Sequence, residues 1–320
     1  MNPVLEKIGA IGIVPVIKID DAKLAVPLAK ALVEGGLPVA EVTFRTDEAE
    51  EAIKLISKEV PEMLVGAGTV LTTAQVDRAV LAGAKFIVSP GLNPKVVQYC
   101  VDKGIPITPG TSNASDIEQA LELGLEVVKF FPAGQLGGIA TIKALAAPYT
   151  KVKFMPTGGV NAKTLNDYLS FPKVLACGGS WMVNADLINA GKFDEIRAMT
   201  AEAVRTMLGF ELAHVGITAE NEEEALATAK FFGDAFGFAP KNGNSSVFAG
   251  TAVEVMKAGG PGKLGHIGIK TNYIDRAVRY MESRGYEFEP GKYDETGNLT
   301  AIYFKQEIAG FAVHLVQKKG

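Results

Sequence analysis

Two charged residues stand where a charge is costly. Glu41 lies inside Val39-Ala40-Glu41-Val42-Thr43-Phe44-Arg45, and Lys129 inside Val127-Val128-Lys129-Phe130-Phe131-Pro132. Both runs read as buried strands, where an ionised side chain must be paired or neutralised. A lysine amine among apolar neighbours can capture a ketone as an imine, which draws electrons out of an adjacent carbon–carbon bond. A carboxylate on the same lining would move the protons that this needs. A structural ion pair is the competing reading. A second set lies far along the chain, where the three histidines, His214, His266 and His314, accompany Glu254. Imidazoles with a carboxylate suit zinc, nickel, iron or cobalt better than magnesium or calcium.

The first set needs a scaffold, and the pattern supplies one. Eight apolar runs (residues 11–17, 39–44, 64–67, 86–88, 105–108, 127–131, 152–155 and 174–177) alternate with helix-like stretches at 22–34, 48–59, 74–82, 94–102, 114–123 and 163–169. This predicts an α/β fold, a (β/α)8 TIM barrel. An open doubly wound sheet would carry a glycine loop after its first strand, whereas Ile17-Lys18-Ile19-Asp20 follows here. Barrel chemistry sits at the C-terminal ends of strands. Strand alternation puts Val39, Glu41 and Thr43 on one face, with Arg45 just past the end. The third strand ends Gly66-Ala67-Gly68-Thr69, the seventh Pro156-Thr157-Gly158-Gly159 and the eighth Gly178-Gly179-Ser180. Glycine clusters after the last two strands are where barrels build phosphate sites from backbone N–H groups. Lys18 also ends a strand, but Asp20 beside it favours a solvated or phosphate-side role. Cys177 and Trp181 read as packing residues.

The texture changes after Phe210. Ala213-His214-Val215-Gly216-Ile217 returns 52 residues later as Gly265-His266-Ile267-Gly268-Ile269. Each copy precedes a helical stretch (222–236, then 274–284) and two strands (246–249 and 252–256, then 299–304 and 311–316), an internal repeat. His214 matches His266, and Glu254 matches His314. The expected domains are 1–209 and 210–320.

Composition narrows the rest. The formal charge of −4 is spread over both parts, 20 basic against 22 acidic residues before position 210. No Lys/Arg-rich run occurs, which argues against a nucleic-acid partner. Residues 8–17 are too short to span a membrane and lack the pattern of a signal peptide, so they read as a buried strand. Two cysteines are too few for a disulfide framework, and the expected location is the cytoplasm.

Glu41-Val42-Thr43-Phe44-Arg45-Thr46, Gly66-Ala67-Gly68-Thr69-Val70, Ser89-Pro90-Gly91, Lys129-Phe130-Phe131-Pro132-Ala133, Pro156-Thr157-Gly158-Gly159 and Gly178-Gly179-Ser180-Trp181 occur in unbroken order. Over residues 4–208 the chain thereby resembles the 2-keto-3-deoxy-6-phosphogluconate (KDPG) aldolases. The resemblance implies a class I aldolase without a cofactor, Lys129 forming the Schiff base and Glu41 the acid/base. It yields pyruvate and glyceraldehyde 3-phosphate, and members often also cleave 4-hydroxy-2-oxoglutarate (KHG). It further implies that Arg45 and Thr69 hold the pyruvate carboxylate, Pro90 and Phe131 shape the pocket, Thr157 meets the substrate chain, and Gly158, Gly159, Gly179 and Ser180 cradle the phosphate. A homotrimer acting on small 2-oxo acids is the implied assembly. Residues 211–320 resemble the vicinal oxygen chelate (glyoxalase-like) superfamily, whose paired βαβββ modules cup a divalent metal. The pattern carries over to His214, Glu254, His266 and His314, with a histidine at position 314 where a carboxylate is commoner. A metal-free appendage is one alternative; a phosphate-ligand-binding barrel without catalysis is another.

Overall fold

The computed structural model describes residues 1–318. They divide into two compact units, Met1–Thr206 and a second beginning at Met207.

In the first unit, short buried strands alternate with helices. The strands are β1 (Ile13–Ile17), β2 (Val39–Thr43), β3 (Leu64–Gly68), β4 (Ile87–Val88), β5 (Ile107–Thr108), β6 (Gly110–Thr111), β7 (Val127–Phe130), β8 (Lys153–Pro156) and β9 (Cys177–Gly179). Six pair in the order β5-β4-β3-β2-β1-β9 and three as β6-β7-β8. Parallel bridges Phe154↔Val174 and Thr157↔Gly178 link the β8 side to the β9 side. Between β5 and β6 stands Pro109, which has no N–H for a ladder; its carbonyl accepts from Lys129 N at 2.9 Å. The result is a curled parallel sheet with strand C-termini gathered at one end.

Local chemistry explains the helices. Pro94–Asp102 starts where Asn93 caps Lys95 N, with proline in the first turn. Thr72 and Gln75 form a reciprocal capping box for Thr73–Ala82. One expectation is corrected. The stretch 8–17 is not a single strand, because a helix occupies Pro3–Ile11 and strand begins at Ile13. Asn2 caps the helix, Leu5, Ile8 and Ile11 bury one face, and Gly12 at φ 87° ends it.

The second unit is one eight-stranded sheet. Its strands are β10 (Glu211–Thr218), β11 (Pro240–Asn242), β12 (Ser246–Ala249), β13 (Val253–Met256), β14 (His266–Thr271), β15 (Lys292–Tyr293), β16 (Leu299–Tyr303) and β17 (Ala312–Gln317). They lie in the order β11-β12-β13-β10-β14-β17-β16-β15. Helix Glu222–Phe236 follows β10, and helix Ile274–Glu282 follows β14. Each half therefore runs strand, helix, three strands, and the halves meet along antiparallel β10 and β14. The edge strands β11 and β15 were not anticipated: Pro240-Lys241-Asn242 and Lys292-Tyr293 are short, polar and exposed, as sheet edges that resist aggregation are. Ala225 and Ala229 of the first helix pack on Val247, Ala249 and Val255.

Candidate active site and metal centre

The sheet of the first unit brings Lys129 and Glu41 together. Lys129 Nζ lies 3.6 Å from Glu41 Oε1, with the side chains 7% and 3% exposed. Glu41 Oε1 is buried without a hydrogen-bond partner, so the carboxylate keeps an acceptor free for a reacting group. Its position depends on Gly68 across the β2–β3 ladder, where an added Cβ would run into the Glu41 carboxylate. Lys129 Nζ also stands 5.0 Å from the Phe131 ring centroid. Alternation turns Phe130 to the opposite face, so Phe131 is the apolar neighbour of the amine.

Around this pair, the other sequence-derived residues occupy strand ends. Thr43 Oγ1 donates to Ile17 O at 2.7 Å and accepts from Arg45 Nε at 3.0 Å, which aims the guanidinium. Arg45 and Ser180 line one cavity of about 390 Å³ with Lys18, Trp181 and Asn184. Lys18 itself is engaged by Asp20 at 2.6 Å, and Asp20 also accepts from Asn189 at 3.0 Å. Thr69, just after β3, holds φ 57°. A β-branched residue adopts that conformation only where its surroundings impose it, at a cost on the order of 1–3 kcal/mol. Pro90 follows β4, and its carbonyl leaves no space for a Cβ at Gly110, the residue paired with Lys129. Thr157 is buried and bridges to Gly178. Gly158 and Gly159 take φ 87° and 79°, open to glycine and strained for other residues, and Gly158 lies against Phe131. Gly179 makes room for the Trp181 ring. Neither cysteine is in a disulfide. Burial and the nearby Asp77 push the Cys100 thiol up to about 11, which suits an inert packing role.

In the second unit His214, His266 and His314 converge, their ligand atoms within 4.8 Å of one another, and Glu254 lies against His214 and His266 but outside that mutual group. His214 Nε2 is 3.2 Å from His266 Nε2 and 3.1 Å from His314 Nε2. Glu254 Oε2 is 3.1 Å from His266 Nε2 and 3.3 Å from His214 Nε2. Ligands at about 2.0–2.1 Å from a tetrahedral zinc ion are separated by about 3.3 Å, close to the separations of His214 from His266, His314 and Glu254, so the imidazole cluster suits a first-row divalent ion. Burial, reinforced by His266, holds His214 below its ordinary range although Glu254 opposes it. Burial and then the neighbouring imidazoles bring His314 down to about 3. Burial pushes the Glu254 carboxyl up, but hydrogen bonds from His266 and Ser246 and the adjacent imidazoles outweigh it and bring it to about 2. His214 and His314 are thus neutral and Glu254 ionised at neutral pH, the forms that bind metal.

Two features of this cluster were missed in the sequence. The β10–β14 register sets His214 opposite Gly268 and Gly216 opposite His266. A Cβ at either glycine would strike the facing imidazole, so the repeated His-x-Gly was the available signal. Aromatic walls are the other feature: Tyr303 stacks on His314 at 4.5 Å and 11°, and Phe248 stands edge-on to His214 at 5.7 Å. The Nδ1 atoms of His266 and His314 are buried without a hydrogen-bond partner, so ring packing orients these imidazoles. Gly216→Ala is expected to cost about 1–3 kcal/mol, as overpacking does. Denaturant unfolding checks this, and an unchanged midpoint would contradict the close fit.

A buried amine beside a carboxylate, at the C-terminal end of a curled parallel sheet, is the equipment of an aldolase that works through a lysine imine. The comparison with known proteins agrees. The aldolase family described as KDPG and KHG aldolase matches residues 4–199, and the chain belongs to that family. The 2-dehydro-3-deoxy-phosphogluconate aldolase of Treponema pallidum is 50% identical over 205 residues, 64% of this chain and 98% of that protein. The KHG/KDPG aldolase of Escherichia coli K12 is 46% identical over 192 residues, 60% of this chain and 90% of its own. Among solved structures, the KDPG aldolase of Legionella pneumophila, with pyruvate captured at low pH as a covalent carbinolamine intermediate, is 38% identical with a TM-score of 0.61, covering 62% of this chain and 97% of that one.

Proposed function

We propose that residues 1–209 form a class I aldolase on a closed (β/α)8 barrel, cleaving KDPG to pyruvate and glyceraldehyde 3-phosphate and KHG to pyruvate and glyoxylate. The observation that carries this reading is the buried contact between Lys129 Nζ and Glu41 Oε1 at 3.6 Å. Lys129 attacks the C2 ketone, and Glu41 moves the protons as carbinolamine becomes iminium. Glu41 then takes the C4 hydroxyl proton while the C3–C4 bond breaks, its electron pair entering the iminium to give an enamine. Protonation at C3 and hydrolysis free pyruvate and restore the amine. Arg45, steadied by Thr43, holds the carboxylate with Thr69, a role suited to the planar guanidinium fork. Pro90 and Phe131 bound the pyruvyl pocket, and Thr157 meets the chain beyond it. Gly158, Gly159, Gly179 and Ser180 receive the phosphate. Release of pyruvate from KDPG and from KHG, followed by steady-state kinetics, tests the assignment; no turnover of either would overturn it. Assembly as a homotrimer and residence in the cytoplasm are further readings of the resemblance, the first testable by light scattering.

Residues 210–320 we read as a vicinal oxygen chelate (glyoxalase-like) domain of paired βαβββ modules. His214, Glu254, His266 and His314 would hold one divalent ion (zinc, nickel, iron or cobalt), supported by the three imidazoles' ligand atoms within 4.8 Å of one another and by the Glu254 carboxylate at 3.1 Å from His266 and 3.3 Å from His214. When bound, such an ion polarises a ligand with two adjacent oxygens. Elemental analysis is expected to find about one metal per chain, lost in the double variant His214→Ala, His266→Ala. Chelation should leave aldol cleavage unchanged, because the imine route uses no metal. Absence of metal after supplementation would favour the metal-free appendage instead.

A further inference from the structure

We propose that Lys18 contacts the phosphate of the substrate and sets this chain's preference for phosphorylated over unphosphorylated substrates. This rests on the aldolase reading of the first unit. Strand order and register carry the argument. Strand β1 lies between β2 and β9. Lys18, directly after β1, therefore stands between Arg45, two residues past the end of β2, and Ser180, directly after β9. Val16 pairs with Glu41, and directly paired residues share a face. Alternation turns Lys18, two residues on from Val16, to that same face at the strand ends.

The cavity there supports an anion. Its volume is about 390 Å³, and Lys18, Arg45, Ser180, Trp181 and Asn184 line it. Two of its lining residues are cations and none is a carboxylate, a balance that attracts negative charge. Arg45 is already committed, because Thr43 aims its guanidinium at 3.0 Å and the fork serves the pyruvate carboxylate. Gly158, Gly159, Gly179 and Ser180 offer the phosphate hydrogen bonds but no charge. Lys18 is the cation that remains for it.

Asp20 is the competitor. Its carboxylate accepts from the Lys18 ammonium at 2.6 Å, and Asn189 holds it in turn at 3.0 Å. The two side chains are 43% and 38% exposed, and ion pairs in water hold weakly. A phosphate brings up to about twice the charge of a carboxylate and draws the ammonium into the cavity. Asp20 keeps Lys18 close to the strand ends until then.

The test follows condensation, the reverse of cleavage, in the full chain. Pyruvate is paired with glyceraldehyde 3-phosphate and, separately, with unphosphorylated glyceraldehyde, and the ratio of the two kcat/KM values is the readout. Lys18→Ala is expected to lower that ratio about tenfold, the scale of one charged contact, and Lys18→Arg to keep most of it. Asp20→Asn, which removes the competing carboxylate, should raise it. Added salt should shrink the ratio of the parent more than that of Lys18→Ala. A purely structural role for Lys18 would slow both aldehydes alike, so an unchanged ratio in Lys18→Ala would overturn the proposal. Borohydride trapping of pyruvate separates the two levels of failure. Labelled Lys129 with an unchanged ratio overturns this inference alone, whereas unlabelled Lys129 in the parent overturns the aldolase reading and this inference with it.

Discussion

Lys129→Ala is expected to lower kcat/KM for aldol cleavage by at least about 10⁴-fold, the scale on which losing a covalent nucleophile acts. No other residue can replace it. Lys18, the other lysine at a strand end, is exposed and engaged by Asp20, whereas Lys129 is buried beside Glu41. The variant also strands Glu41, which is 3% exposed and already has one oxygen without a hydrogen bond. Some loss of stability follows, because a buried charge without its partner is costly. The double variant Lys129→Met, Glu41→Gln removes that strain. It is expected to melt closer to the parent and to be equally inactive, so loss of activity can be separated from loss of fold. Substantial turnover in either variant would remove Lys129 from the mechanism.

Glu41→Gln should slow turnover by about 10²–10⁴-fold, the range for a positioned acid/base group. Glutamine has the shape of glutamate, and the room left by Gly68 is unchanged, so KM should move far less than kcat. Imine formation should be slowed but not abolished, since the amine survives. Stopped-flow measurement of imine formation with pyruvate separates this from a binding defect. A variant that matched the parent in both steps would leave the carboxylate a merely structural partner of Lys129.

Much of the site was readable because a charge inside an apolar run violates the ordinary rule of burial. Glu41 and Lys129 stood out on that ground alone, and alternation already placed Thr43 beside Glu41. The Pro94–Asp102 helix was equally plain, with its asparagine cap and N-terminal proline. What stayed hidden depends on contacts between strands. Gly68 accommodates Glu41 across a ladder, and Gly216 and Gly268 accommodate imidazoles from the other half of a repeat. A glycine in sequence does not say which side chain occupies its space. The edge strands β11 and β15 carry no apolar alternation, so nothing marked them. The helix Pro3–Ile11 escaped notice because its apolar residues run on through Gly12 into strand β1.

The account stands on imine formation at one amine, and trapping tests that directly. Incubation of the full chain with pyruvate and borohydride should add one carboxyethyl group per chain. Peptide mass spectrometry should place it on Lys129, and Lys129→Ala should take up none. A folded chain that remained unmodified, or one modified at another lysine, would contradict the central claim.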